Sequence, residues 1–265
     1  MIPPTHNPTW PDDVQALYRH DMQEIWDQRL APQIWNQYHN QLDIYLALAG
    51  DTPLRVMDVG CAQGTLALLL AEGGHQVTAV DIRPQFLEYA KSRYSHGEIE
   101  FTAANVLEDQ LPGGFDLIFA NQIIEHLVYP ARLLERLRDL LKPSGRLVVT
   151  TPNGQYVKNS LPSYGQLGNP AEWEHMQFSA DGDGHFFAYR AAELVEIFSS
   201  VGLVAMERRF FETPFVSGHM KVRHLHALAP SAVLRAADRL MLAVPGLGRV
   251  SAHQLMVIGS RAGES

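Results

Sequence analysis

Apolar positions recur with two different periods along the chain. Between residues 12 and 49 they fall every three or four positions. Ile34, Trp35, Tyr38, Leu42, Tyr45 and Leu46 form one such stripe, which predicts helices, with Pro32 dividing two of them. Residues 1–11, rich in Pro, Thr and Asn, read as an extended arm. From residue 54 the pattern becomes short apolar runs alternating with helical stripes. Strands are predicted at 54–59, 76–80, 99–103, 115–120 and 146–151. Helices are predicted at 65–72, 84–94, 131–141 and 191–200, the second with Pro84 in its first turn. Such alternation implies a parallel sheet covered by helices on both faces. Two more strands, 203–211 and 253–260, are expected to form an antiparallel, hairpin-like edge. A helical insert at 219–243 separates them, carrying Leu225, Leu228, Val233, Leu234, Leu240 and Met241.

The expected class is therefore α/β: a doubly wound, mostly parallel sheet of seven strands, with N-terminal helices and a helical insert before the last strand. Residues 1–50 read as a helical cap and 51–265 as the main domain. Within that domain, 212–250 is the insert. Residues 152–189 lack any period and hold many Gly, Pro, Asn and aromatic side chains. A loop of that length inside a compact domain is usually functional, so it is the candidate substrate loop.

Composition narrows the setting. With 46% apolar residues in 265, the chain can bury a large core. It holds no apolar run long enough to span a bilayer, and its first residues lack the basic-then-apolar order of a secretory signal. Cys61 is the single cysteine, which excludes an internal disulfide and a cysteine-based zinc site. The formal charge of −8 disfavours nucleic acid as a partner. A cytoplasmic protein acting on a small molecule, as a monomer or homodimer and without a membrane span, is the expectation.

The chemistry concentrates at the end of the first strand. Asp58-Val59-Gly60-Cys61-Ala62-Gln63-Gly64-Thr65 reads as strand, tight turn and helix start. The glycines permit torsions and close ligand approach that a Cβ would block, and the helix start offers free N–H groups to a ligand carboxylate. A dinucleotide loop requires G-x-G-x-x-G/A, but Ala62 and Thr65 stand at its second and third glycine positions. A phosphate loop requires Gly-Lys, which is absent. Asp81, ending the second strand about 20 residues past the glycines, sits where an acid can hold ribose hydroxyls. Cys61 reads as a small turn residue whose backbone matters.

Over residues 54–211 this set resembles the class I S-adenosylmethionine-dependent methyltransferases. Five segments agree in order: Asp58–Gly64 with the first motif, Asp81 with the ribose acid, and Asn105 with the usual Asp near the adenine amino group. Phe115–Asn121 resembles the fourth-strand motif, and Leu140–Leu147 the turn into the fifth strand. The chain departs in having Ala62 for the middle glycine and Asn105 for Asp. The resemblance implies a Rossmann-like fold with S-adenosyl-L-methionine as cofactor and S-adenosyl-L-homocysteine as product. It assigns cofactor binding to Asp58, Gly60, Cys61, Ala62, Gly64, Asp81, Ile82, Asn105, Val106 and Asn121.

After the fourth strand come Asn121-Gln122-Ile123-Ile124-Glu125-His126. Ligands in open α/β sheets lie outside the carboxyl ends of strands, so Glu125 and His126 are candidate catalytic residues. His126 can accept a proton near neutral pH, and Glu125 can orient it. The pair resembles the E-H pair of ubiquinone-biosynthesis O-methyltransferases, yet it can equally cap and pack a helix start. His185, in Gly-Asp-Gly-His-Phe-Phe, is a third candidate. Small-RNA 2′-O-methyltransferases carry E-x-x-E-H and a later histidine around a divalent metal. Gln122 replaces the first of those acids here, which weakens a hard-cation site, so no metal is expected. His224 and His226, two apart in a helical stretch, point to different faces and read as surface or packing residues. Trp26 reads as packing against the sheet, whereas Tyr38 and His39 are candidates for touching cofactor or substrate. The expected activity is methyl transfer to a small-molecule acceptor, most simply to oxygen. The alternatives are a metal-assisted RNA 2′-O-methyltransferase and a non-catalytic module that binds the cofactor.

Overall fold

A computed structural model describes residues 1–176 and 187–263. Helix α1 (Asp12–Asp21) leads into a single wide turn at Met22–Trp26. The Asp27 N–H closes that turn by donating to the Met22 carbonyl at 2.8 Å, a five-residue step in place of the usual four. Asp27 then accepts the Arg29 N–H at 3.0 Å, and the chain restarts as α2 (Pro32–Ala49) with Pro32 in its first turn. The expected division at Pro32 is therefore a break over 27–31. The irregular turn before it is the kind of helix defect that collects at functional positions.

Strand and helix then alternate: β1 (Arg55–Val59), α3 (Thr65–Glu72), β2 (Gln76–Asp81), α4 (Pro84–Ser92) and β3 (Glu98–Ala103). They are followed by β4 (Phe115–Asn121), α5 (Pro130–Leu140), β5 (Leu141–Pro152), α6 (Ala191–Ser200) and β6 (Leu203–Phe211). The insert comprises α7 (Pro214–Ser217), a short turn at Val222–Ala227, α8 (Ser231–Ala243) and α9 (Leu247–Ser251), before β7 (Gln254–Arg261). The seven strands form a mixed sheet in the order β3-β2-β1-β4-β5-β7-β6. Among the described residues no helix is long and apolar enough to cross a membrane.

The chain divides into two compact units. The first is residues 1–110 with 214–237, and the second is 111–213 with 238–265. In the first unit β1 pairs in parallel with β2, and β2 with β3. Four of the five β1 residues are buried, as befits a strand covered on both faces. Val14 and Leu17 of α1 pack with Phe86 and Tyr89 of α4, so the N-terminal helix is anchored by its own apolar face. In the second unit β4 pairs in parallel with β5, while β7 runs antiparallel to both β5 and β6. Helix α5 buries Leu133, Leu134, Leu137 and Leu140, one stripe of its surface.

One strand boundary differs from expectation by more than a residue. Strand β5 begins at Leu141 rather than Arg146, because a register shift between Phe115 and Leu117 absorbs the Lys-Pro-Ser-Gly stretch. Lys142 Nζ secures that shift by donating to both Asp116 carboxylate oxygens, at 2.7 and 2.9 Å.

Candidate functional site

In the first unit the glycine loop folds as a chain of backbone bonds. The Gly60 and Cys61 N–H groups both donate to the Val80 carbonyl, at 2.7 and 3.1 Å, and the Gly64 N–H donates to the Cys61 carbonyl at 2.7 Å. Gly60, Ala62 and Gly64 all have positive φ, at 67°, 46° and 75°. Ala62 therefore holds the left-handed torsion of the glycine it replaces, at a cost of roughly 1–2 kcal/mol. Gly64 is confined more tightly, because a Cβ there would stand 2.7 Å from the Ala90 Cβ. Cys61 contributes through its backbone. Burial, with Asp58 and Asp81 nearby, pushes its thiol well above the ordinary range, so it is not a thiolate nucleophile.

Asp58 is buried on β1 and accepts the Ala67 N–H, so it caps α3 from a neighbouring strand. Burial, then the charge of Asp81, pushes Asp58 up to about 7. Asp81 accepts the Ala62 N–H at 3.0 Å on one oxygen and the Arg83 N–H at 2.9 Å on the other. Arg83 Nε also donates to that second oxygen, at 3.3 Å, so the oxygen facing Ala62, with a single bond, is the one that retains acceptor capacity for a ribose hydroxyl. Ile82, beside it, is 55% exposed and offers an apolar face to a flat ring. Asn105 and Val106 are partly exposed, and the Asn105 side-chain oxygen accepts the Leu107 N–H at 3.1 Å. The free N–H groups at the start of α3, the Asp81 carboxylate and the exposed Ile82 match the chemical outline of S-adenosylmethionine: a carboxylate, a ribose and an adenine.

The N-terminal helices reach this loop. Gln63 Nε2 donates to Glu24 Oε2 at 2.6 Å and to the Tyr38 hydroxyl at 3.1 Å. Arg93, fully buried at the end of α4, donates to the Gln63 carbonyl at 2.6 Å and to Thr65 Oγ1 at 2.9 Å. The same guanidinium pairs with Asp21 at 2.8 Å, and Asp21 also accepts from the Tyr89 hydroxyl and the Trp26 indole. Trp26 is thus a hydrogen-bond donor at this junction rather than simple packing against the sheet. Trp35 and His39 stack on each other at 3.9 Å, and of the expected α2 contacts Tyr38 is the one bonded to the loop. His226 is buried with its Nδ1 3.4 Å from the Asn36 amide, while His224 is exposed. Glu24, Asp21 and Arg93 escaped the sequence reading, since nothing in their spacing links them to the loop. The irregular turn at Met22–Trp26 was the structural signal.

In the second unit, Asn121 ends β4 with its side-chain oxygen accepting from Thr150 Oγ1 at 3.0 Å. Gln122 follows with φ at 53°, a sharp reversal that aims Ile124–His126 into a short helical turn. Glu125 is fully buried, and burial pushes it up to about 8. Its Oε2 accepts no hydrogen bond among the described residues. With its nitrogen turned to that carboxyl, the Gln122 amide lies 3.2 Å from Glu125 Oε1. His126 is partly exposed. Tyr189 is buried and donates to the Ile124 carbonyl at 3.0 Å, and its ring stacks on Tyr164 at 5.4 Å. It too was absent from the sequence candidates. His185 lies outside the described residues.

Comparison with known proteins decides the family. A methyltransferase-domain family matches residues 18–207. The chain belongs to the class I S-adenosylmethionine-dependent methyltransferases. It is 36% identical over 102 residues to a mitochondrial ubiquinone biosynthesis O-methyltransferase of Schizosaccharomyces pombe, covering 37% of each chain. It is likewise 36% identical over 112 residues to the ubiquinone biosynthesis O-methyltransferase of Xanthomonas euvesicatoria, covering 41% of this chain and 46% of that one. The chain thus spans less than half the length of these two relatives. An uncharacterised methyltransferase of Mycobacterium bovis matches at 33% identity over 54% of this chain and 77% of its own. Among solved structures, the magnesium protoporphyrin IX methyltransferase of Synechocystis, with S-adenosylhomocysteine bound, shares the fold. Its TM-score is 0.60 at 13% identity, over 95% of both chains. An S-adenosylmethionine-dependent methyltransferase of Mesorhizobium loti aligns with a TM-score of 0.57 at 18% identity, over 85% of this chain and 98% of that one.

Proposed function

We propose that this methyltransferase transfers a methyl group to a hydroxyl of a small molecule, and that His126 takes the hydroxyl proton. The observation carrying this reading is the turn after β4, where a partly exposed imidazole follows a carboxyl that burial keeps protonated at neutral pH. A carboxyl pushed up to about 8 is a poor base at pH 7, whereas an imidazole with a neutral lone pair is a good one. Glu125 therefore positions, and His126 accepts. The ubiquinone-biosynthesis relatives are named as O-methyltransferases, which supports oxygen as the acceptor atom.

The cofactor, when bound, supplies an activated methyl on a positively charged sulfur. The chain's own residues do the rest. Asp81 holds a ribose hydroxyl, Ile82 and Val106 flank the adenine, and Asn105 meets its amino group. The Gly60–Gly64 backbone receives the amino-acid end. Tyr164 and Phe187, which pack edge to face within the expected substrate loop, select the acceptor. Base assistance of this kind contributes ~10²–10⁴-fold.

The test pairs an unbiased metabolite screen for methylated products with the variant His126→Ala. A product heavier by one methylene and carried on oxygen is expected from the wild-type protein. The variant should lose about 10²-fold or more in kcat with unchanged affinity for S-adenosylhomocysteine. A nitrogen- or carbon-methylated product, or full kcat in the variant, defeats the proposal.

A further inference from the structure

The Glu24 carboxyl is not explained by packing alone. Four acids surround the glycine loop in the first unit. Asp21 is fully buried, ion-paired with Arg93 and bonded by Tyr89 and Trp26. Asp58 is buried and caps α3. Asp81 is buried and holds the Ala62 and Arg83 N–H groups. Glu24 differs in two ways. It is partly exposed, and only Oε2 is engaged, by the Gln63 amide at 2.6 Å, while Oε1 accepts nothing among the described residues. Gln63 is itself a residue of the cofactor loop, between Ala62 and Gly64.

We propose that Glu24 is the counter-ion for the α-ammonium group of the cofactor, and that it gives up a proton when the cofactor binds. The loop backbone and the α3 start attract the ligand carboxylate, and the ammonium on the same carbon then needs an anionic acceptor close by. Glu24 reaches the loop through Gln63, so its free oxygen stands at the edge of that same turn. Its surroundings hold it protonated until a cation arrives. Burial raises it first, the Asp21 charge raises it further, and the Gln63 amide and the Arg93 charge oppose them, leaving it at about 8. The Tyr38 hydroxyl, which also meets Gln63, stays neutral because burial pushes it well above its ordinary value. A ligand ammonium supplies the missing positive charge, and the proton leaves to solvent.

The probes are S-adenosylhomocysteine, which carries the ammonium and carboxylate, and methylthioadenosine, which keeps the nucleoside and lacks both. Isothermal titration of the full chain at pH 7, in phosphate and in Tris, counts the protons exchanged. S-adenosylhomocysteine is expected to release about one proton more than methylthioadenosine. E24Q keeps an acceptor for Gln63 and removes the charge. It should abolish the extra proton, weaken S-adenosylhomocysteine about tenfold, and leave methylthioadenosine within about twofold. Equal proton counts for the two nucleosides in the wild-type protein overturn the proposal, as does S-adenosylhomocysteine binding E24Q as tightly as wild type. If E24Q loses both nucleosides, the wild-type proton count decides alone. None of these readouts involves a methyl acceptor, so they stand apart from the test of O-methylation.

Discussion

The glycine-loop region and the turn after β4 each bury carboxyls, and they treat them differently. Around the loop, Asp21 meets a guanidinium, a phenol and an indole, and Asp58 meets a helix N–H. Asp21 and Glu125, the latter at the β4 turn, are equally buried and each has one oxygen without a hydrogen bond among the described residues. The Asp21 oxygen lies 2.8 Å from the Arg93 guanidinium, whereas no ion pair reaches Glu125 among the described residues. Burial raises the proton affinity of all three. The difference lies in compensation. A buried acid with a buried cation is a structural joint whose removal breaks the local fold. A buried acid without one keeps its proton and is free to act on its neighbour.

The largest expected effect breaks the compensated side. Arg93→Met leaves Asp21 buried without its cation and strips Gln63 and Thr65 of a donor. Chemical denaturation should show a loss of about 3–5 kcal/mol. A loss below about 1 kcal/mol would mean that the ion pair contributes little. The next effect tests the loop geometry. Gly64→Ala forces a Cβ against Ala90 at 2.7 Å in a left-handed torsion of 75°. Thermal unfolding should report about 2–4 kcal/mol of destabilisation, together with loss of S-adenosylhomocysteine binding by titration.

A third prediction contrasts the two regions by pH. Glu125, at about 8, and Asp58, at about 7, both lie above their unfolded values. Their protonated forms are the ones the fold tolerates, so their contribution is complete below about pH 4 and is lost as pH rises through 7 and 8. Stability measured by urea titration should therefore fall between pH 6 and pH 8, by on the order of 1–2 kcal/mol for Glu125 alone. Glu125→Gln keeps the hydrogen bonding of a neutral acid and should remove its share of that slope, leaving the share due to Asp58 and Glu24. A slope unchanged in the variant would assign the pH dependence to the loop side instead. The smallest effect sharpens the loop account. Ala62→Gly removes the penalty of a φ of 46° and should be neutral to stabilising by up to about 1 kcal/mol. A clear loss would show that the Ala62 methyl group packs usefully.

Much of the fold was legible because it is written locally. The β1 and β4 runs are mostly apolar, the α5 stripe repeats at helical spacing, and prolines mark the first turns of α2, α4 and α5. The glycine loop was legible for the same reason, since a turn between strand and helix needs particular residues at fixed offsets. The β5 start was misread because the register shift against β4 is a property of the pair of strands.

What the sequence determined by itself was the alternation of elements, the identity of the cofactor loop and the acid at the end of β2. Each depends on residues within one turn or one strand-helix unit. Only the tertiary structure decided which acids carry a proton and which are joined. Arg93 meets Asp21 across 72 positions of sequence, Gln63 meets Glu24 across 39, and Tyr189 meets Ile124 across 65. Desolvation and pairing act through space, so the charge state of Glu24, Asp58 and Glu125 emerged only once the chain had closed around them.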